Sequence, residues 1–158
     1  MQPDAASMMS AVRGRSRIGA LTARLGRFPI AIVQCMFRFS IAGVFLKAGL
    51  NKIASWEMTA QLFADEYKVP VRAPEIAARM AATFEIGCSL LLVAGLATRL
   101  ATLPLLGMIM TIQLFVYPSA YAEHLAWASI LVFLLTRAAG PWSLDRLVGL
   151  EPGDSGRA

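Results

Sequence analysis

The sequence predicts an all-α integral membrane protein. The expected architecture is a four-helix bundle, up-down-up-down, with an amphipathic extracytoplasmic helix between the first and second spans. Three observations carry this expectation. Of 158 residues, 57% are hydrophobic and 16% charged, a balance unlike that of an ordinary soluble domain. Four apolar stretches each run about 18 to 22 residues, the length needed to cross roughly 30 Å of hydrocarbon at 1.5 Å per residue. Two of these stretches hold an ionised residue away from their ends, Arg38 in the first and Glu85 in the second. A charge in hydrocarbon costs from a few to roughly 10 kcal/mol or more, so such groups usually face the bundle interior and find partners there.

Taken in order, residues 1–28 are a basic segment with Arg13, Arg15, Arg17, Arg24 and Arg27 opposed only by Asp4. Its first half is expected to be disordered and cytoplasmic. From Arg15 to Phe28 a short helix can lie on anionic lipid, with Ile18, Leu21 and Leu25 on one side. A cleaved signal peptide fits poorly. Its basic region would be too long, its apolar region would contain Arg38, and no small-residue cleavage site follows.

The first span is expected over residues 29–50, with Pro29 in its first turn. The connection over 51–75 is too long to be bare. Ile53, Trp56, Ala60, Phe63 and Tyr67 recur at helical spacing, while Glu57, Gln61, Asp65 and Lys68 fall elsewhere. Ser55 is placed to cap this helix, Glu57 to suit its dipole, and Pro70 to stop it. Trp56 and Tyr67 suit a membrane interface. The second span is expected over 76–96, with Pro74 able to start it, and the third over 100–118, with Pro104 in its first turns. A very short link near Thr98 makes these two an antiparallel hairpin. The fourth span is expected over 122–139, within a domain of residues 29–147, and 148–158 read as a flexible tail.

Orientation follows from the basic residues. With the N-terminus in the cytoplasm, nine arginines fall on that side. Only Lys52, Lys68 and Arg72 fall on the other, diluted by Glu57, Asp65, Glu66 and Glu75. Both termini are therefore expected in the cytoplasm. The net charge of +5 has the same origin and reads as topology rather than a nucleic-acid surface. Cys35 and Cys88 both lie in apolar stretches without a CxxC motif and read as buried thiols. A lone histidine, His124, argues against bis-histidine haem or a histidine-rich metal site, and no P-loop or Gly-rich nucleotide motif occurs. No metal or covalently bound cofactor is expected.

Gln34, Arg38, Ala42, Phe45, Gly49 and Lys52 draw one stripe along the first span. Ala78, Ala81, Ala82, Glu85 and Ser89 draw a matching stripe on the second. Small residues let membrane helices approach closely, so the stripes are expected to face each other. Arg38 and Glu85 differ by about four residues in depth, roughly 6 Å of rise, which an arginine side chain can span. A salt bridge between them is the expectation, with Lys47 and Lys52 as alternative partners for Glu85. Lys47 can instead snorkel to headgroups. The bland reading of the Arg38/Glu85 pair is a fixed helix register. The functional one is a ligand or proton site. Gln113 on the third span can bond across helices or to a ligand carbonyl. Glu123 and His124 open the fourth span and can act as a proton inlet toward Glu85.

Arg38-x4-Gly43-x-Phe45, followed by Ala48-Gly49-Leu50-Asn51-Lys52, resembles the first-helix pattern of the DoxX family. Glu85, the run Leu90 to Leu96, then Thr98-Arg99, and the ending Gly140-Pro141-Trp142-Ser143-Leu144-Asp145 resemble it too. The resemblance spans residues 30–147. It implies a small four-helix protein of the bacterial cytoplasmic (inner) membrane. Some relatives are associated with a thiosulfate:quinone oxidoreductase, others with membrane redox complexes that resist oxidative stress or with copper and iron peptide biosynthesis. The family's charged positions match Arg38, Lys52 and Glu85.

The functional expectation is a redox-linked subunit binding a quinone, or a similar hydrophobic electron carrier, between the helices. Glu85 would handle protons, with Arg38 and Lys52 holding negative charge on the reduced ligand. Lys47, Gln113, Phe45 and His124 complete the candidate ligand contacts, and a partner oxidoreductase would supply electrons. The alternative is a non-catalytic scaffold for such a partner, which expects a dry, satisfied Arg38/Glu85 pair and no cavity beside it. A transporter would need an open path, which four helices line only narrowly unless the protein forms a homo-oligomer.

Overall fold

A computed structural model describes residues 19–67, apart from Leu21 and Leu25, and residues 73–150. The start of the basic segment, the stop at Pro70, the charges Lys68 and Arg72, and the end of the tail lie outside the described residues. The chain divides into two compact units, Met1–Ile30 and Ala31–Ala158. In the first, residues 22–24 are helical, and the Gly26 N–H donates to the Thr22 carbonyl at 2.9 Å. The second holds the bundle.

Helix α1 spans Ile30–Ala54, α2 Trp56–Leu62, α3 Pro74–Ala94, α4 Thr98–Thr111, α5 Tyr121–Arg137 and α6 Leu144–Leu147. No strand occurs among the described residues. Among the described residues, four helical stretches are long and apolar enough to cross a membrane: Ile30–Ala54, Pro74–Ala94, Thr98–Val116 and Pro118–Arg137. Each contributes to one core. Ile41 and Phe45 of α1 meet Cys88 and Leu92 of α3, Leu105 and Ile109 of α4, and Leu131 and Leu134 of α5. Phe37 and Phe133 pack edge-to-face at 5.1 Å.

The helix ends differ from expectation for identifiable reasons. Helix α1 continues past Leu50 through Lys52, a cation in the last turn that suits the dipole and finds a carboxylate on α3. Ser55 precedes α2 but makes no side-chain cap; its backbone alone is used, its N–H donating to Asn51 O at 3.1 Å and its carbonyl accepting from Thr59 N–H at 3.0 Å. Pro74 starts α3 at a position that needs no N–H partner. That helix ends in a Schellman motif: Gly95 is left-handed (φ 67°), its N–H donates to Leu92 O, and Leu96 N–H donates to Leu91 O. Pro104 lies inside α4 rather than in its first turns, because the helix begins at Thr98. Two π-helical turns extend the neighbouring helices, Phe63–Tyr67 after α2 and Ile112–Val116 after α4. Such turns are rare and frequent at functional sites.

Candidate functional site

The stripes on α1 and α3 do face each other. A Cβ placed on Gly49 would lie 2.7 Å from Ile86 Cγ1 and 3.0 Å from Glu85 Cβ, so only glycine allows this approach. One turn later Lys52 reaches across. Its Nζ donates to both oxygens of Glu85, at 2.7 and 2.8 Å. The carboxylate is 2% exposed and the lysine 20%.

The expected Arg38–Glu85 salt bridge is therefore corrected: Glu85 pairs with Lys52. Arg38 sits elsewhere along α1, against the end of α3. Its Nε donates to Leu92 O and its Nη2 to Val93 O, each at 2.8 Å. Its Nη1 donates to Trp142 O at 2.8 Å and Ala139 O at 3.2 Å. The reason is donor geometry. The last carbonyls of a helix have no intrahelical partner and carry partial negative charge. A planar guanidinium with five donors can satisfy several at once, where a carboxylate would take two. Gln34, one turn earlier, does the same for α5, donating to Arg137 O at 2.9 Å.

Asp145 completes this end of the bundle. Its carboxylate accepts from Ala97 N–H at 2.6 Å and Thr98 N–H at 2.9 Å, capping α4, while its own N–H donates to Gly95 O. Ala97 is held left-handed (φ 48°), a conformation costing about 1–2 kcal/mol that these charge-assisted bonds offset. Asp145 belongs to the Gly-Pro-Trp-Ser-Leu-Asp ending read from the sequence. Its capping role was not read there, because it depends on a contact 47 residues away.

At the other end of the same hairpin, α3 and α4 part around a pocket of about 330 Å³. Ala77, Met80, Ala81 and Phe84 of α3 form one wall, and Pro104, Met108 and Thr111 of α4 the other. Both π turns close it, through Phe63 and Tyr67 on one side and Ile112 and Val116 on the other, with Tyr117 beyond. Tyr67 and Tyr117 pack edge-to-face at 6.3 Å, and Phe63 and Tyr67 at 4.8 Å. Burial, then the neighbouring Tyr117, pushes the Tyr67 phenol up to about 12. Lys52 and Glu85 are the charged groups of a lining that is otherwise mostly apolar. Met80, Phe84 and Tyr117 are partly exposed, so the pocket opens laterally.

Of the residues selected from sequence, this pocket gathers Lys52 and Glu85. Lys47 is exposed on the outer face of α1. Phe45 is buried in the core against Trp127, at 6.2 Å. Gln113 and His124 pair with each other, Gln113 Oε1 lying 2.7 Å from His124 Nδ1, and Gln113 Nε2 donates to Pro118 O at 2.8 Å. None of these lines the pocket. Trp56 lies beneath the guanidinium of Arg79, at 5.6 Å. Tyr117, Met108, Thr111 and Pro104 were not singled out as ligand contacts. The signal for them was the α3–α4 hairpin, which puts one face of α4 opposite the small residues of α3.

The DoxX family model matches residues 33–118, which hold nearly all of α1, the whole of α2 through α4 and every residue of the pocket, but not Asp145 or the rest of the Gly140 to Asp145 ending. Among curated proteins and among solved structures, none is significantly similar to the chain.

Proposed function

The chain belongs to the DoxX family of membrane proteins, and from that premise we propose that its pocket receives a quinone or a similar lipophilic electron carrier, making the protein a redox-linked subunit of a membrane oxidoreductase. The observation that carries this reading is an ion pair in the lining of a largely apolar pocket that opens between two spanning helices. A volume of about 330 Å³ admits a single ring headgroup. An isoprenoid tail would leave past Met80 and Phe84 into lipid.

The chemistry follows from the pair. Reducing a quinone to a quinol takes two electrons and two protons. A partner oxidoreductase would supply the electrons. The Lys52 ammonium carries three donors, so it can bond a ligand carbonyl oxygen and attract the negative charge that builds there on reduction. Glu85, beside it in low dielectric, would pass one proton to the same oxygen and be reprotonated from water, while the second proton would reach the other carbonyl oxygen from water rather than from the ion pair. Arg38 is left out of this step, since it faces the carbonyls at the far end of α3. In this reading the protein lies in the bacterial cytoplasmic membrane with both termini in the cytoplasm, as the distribution of basic residues supports. The rival, a scaffold docking a partner, expects no cavity beside the buried charges, and the pocket weighs against it.

The test is direct binding. Purified protein in detergent is titrated with short-chain ubiquinone and menaquinone analogues. Native protein is expected to bind one of them, Ala81→Trp to lose binding by filling the pocket, and Glu85→Gln to bind without supporting quinone reduction by its partner. A native protein that binds neither analogue ends this reading.

A further inference from the structure

A second cavity, of about 430 Å³, lies on the other side of Lys52. It is formed where the end of α1 meets α2, and it differs in character from the first. It is the more polar of the two: Asn51, Ser55 and Thr59 bring polar groups to it beside the apolar Ala48, Met58 and Leu62, and Asn51 and Ser55 are exposed at its rim. Thr59 Oγ1 donates to the Lys52 carbonyl at 3.2 Å, fixing the first turn of α2 against the last of α1. Three residues line both cavities: Lys52, Phe63 and Tyr67. The two rings pack edge-to-face and form a partition, and the lysine passes beside them with its ammonium on Glu85.

We infer that this polar cavity is the aqueous port of the site, through which water and protons reach the Lys52–Glu85 pair without passing through the apolar pocket. The inference rests on the quinone reading only for the use to which those protons are put. A ligand that takes up protons inside a membrane needs a hydrated route separate from its own lipid-side opening, because the ligand itself fills that opening. The polar cavity provides one. Lys52, one-fifth exposed, is the charged group that lines both compartments, whereas Glu85, 2% exposed, lines the apolar pocket alone and bonds Lys52. The route expected through His124 is less direct. That ring is held by Gln113 and lies tilted against Trp127, and it lines neither cavity.

The test uses thiol chemistry in lipid nanodiscs, with Cys35→Ser and Cys88→Ala as background and no quinone present. Lys52→Cys is exposed to a charged, lipid-insoluble reagent, trimethylammonioethyl methanethiosulfonate. It is expected to react about tenfold faster than Ala81→Cys in the apolar pocket, since exchange rates follow access. Adding Ser55→Trp at the polar rim is expected to slow it, while Phe84→Trp at the lipid-side mouth leaves it unchanged. Thr59→Cys, which keeps the ion pair, serves as a second reporter should Lys52→Cys fail to fold. The inference is overturned if both reporters resist the charged reagent yet react with a lipophilic maleimide, or if Phe84→Trp rather than Ser55→Trp protects them. Because no quinone enters the assay, such a result leaves the binding reading standing, and failure of quinone binding leaves the port standing.

Discussion

Gly95 has no room for a side chain beneath Arg38: a Cβ there would lie 2.7 Å from the guanidinium carbon and 2.7 Å from Ser143 Cβ. The glycine also stands at φ 67°, a conformation costly for any residue with a Cβ. Gly95→Ala is expected to destabilise the bundle by about 1–3 kcal/mol, strain and displaced guanidinium together. Thermal unfolding in detergent measures it, and an unchanged melting temperature would contradict this packing.

Arg38 itself should matter for folding rather than for turnover. Arg38→Lys keeps the charge but replaces a fork of donors by a point, and one ammonium cannot reach Leu92, Val93, Ala139 and Trp142 together. A loss of about 3 kcal/mol or more is expected, since each buried bond to a charged group contributes roughly 1.5–3 kcal/mol. The readout is abundance in the membrane and melting temperature. Under the proposed function, the fraction that folds should match the native protein when both are titrated with quinone analogues.

Lys52 and Glu85 should be unequal. Lys52→Met leaves a carboxylate that is 2% exposed without its partner, whereas Glu85→Met leaves an ammonium that is 20% exposed and can turn to water. Breaking a buried pair from one side costs about 3–5 kcal/mol. Lys52→Met is expected at the upper end of that range, Glu85→Met below it, and the double variant at less than their sum. A double-mutant cycle by chemical or thermal unfolding checks the order.

Tyr67 gives a pH signature. Its phenol is raised from 10.0 to about 12, by burial first and then by Tyr117. The folded protein therefore holds this proton more tightly than the unfolded chain. The benefit is complete below pH 10 and is lost as pH climbs toward about 12. Phenolate absorbance should show one tyrosine titrating late in folded protein, and Tyr67→Phe should remove both that late titration and its share of the alkaline loss of stability.

Much of this was legible in the sequence because membranes constrain it. Spans had to be helices, and the stripe with Gly49 had to meet the one with Glu85. The choice between Lys52 and Arg38 as the partner of Glu85 was not legible. Counting residues gives depth along an axis, but it does not reveal that the end of α3 offers Arg38 several open carbonyls. Asp145 was hidden for a related reason, since its partners are backbone N–H groups that carry no residue identity. The pocket was half-visible. Ala81 of the α3 stripe announces a close approach, yet beside it and Ala77 lies a space walled also by Pro104 and the π turn after α4.

The α3–α4 hairpin is stitched at one end and parted at the other. About eleven residues, roughly 16 Å of helix, separate Ala81 in the pocket wall from Leu92 under the Arg38 clasp. That arrangement is a pair of tweezers. The joint at Gly95 to Thr98 is riveted by a guanidinium and a carboxylate, and the residues that shape the gap at the tips share none of the bonds that hold the rivet.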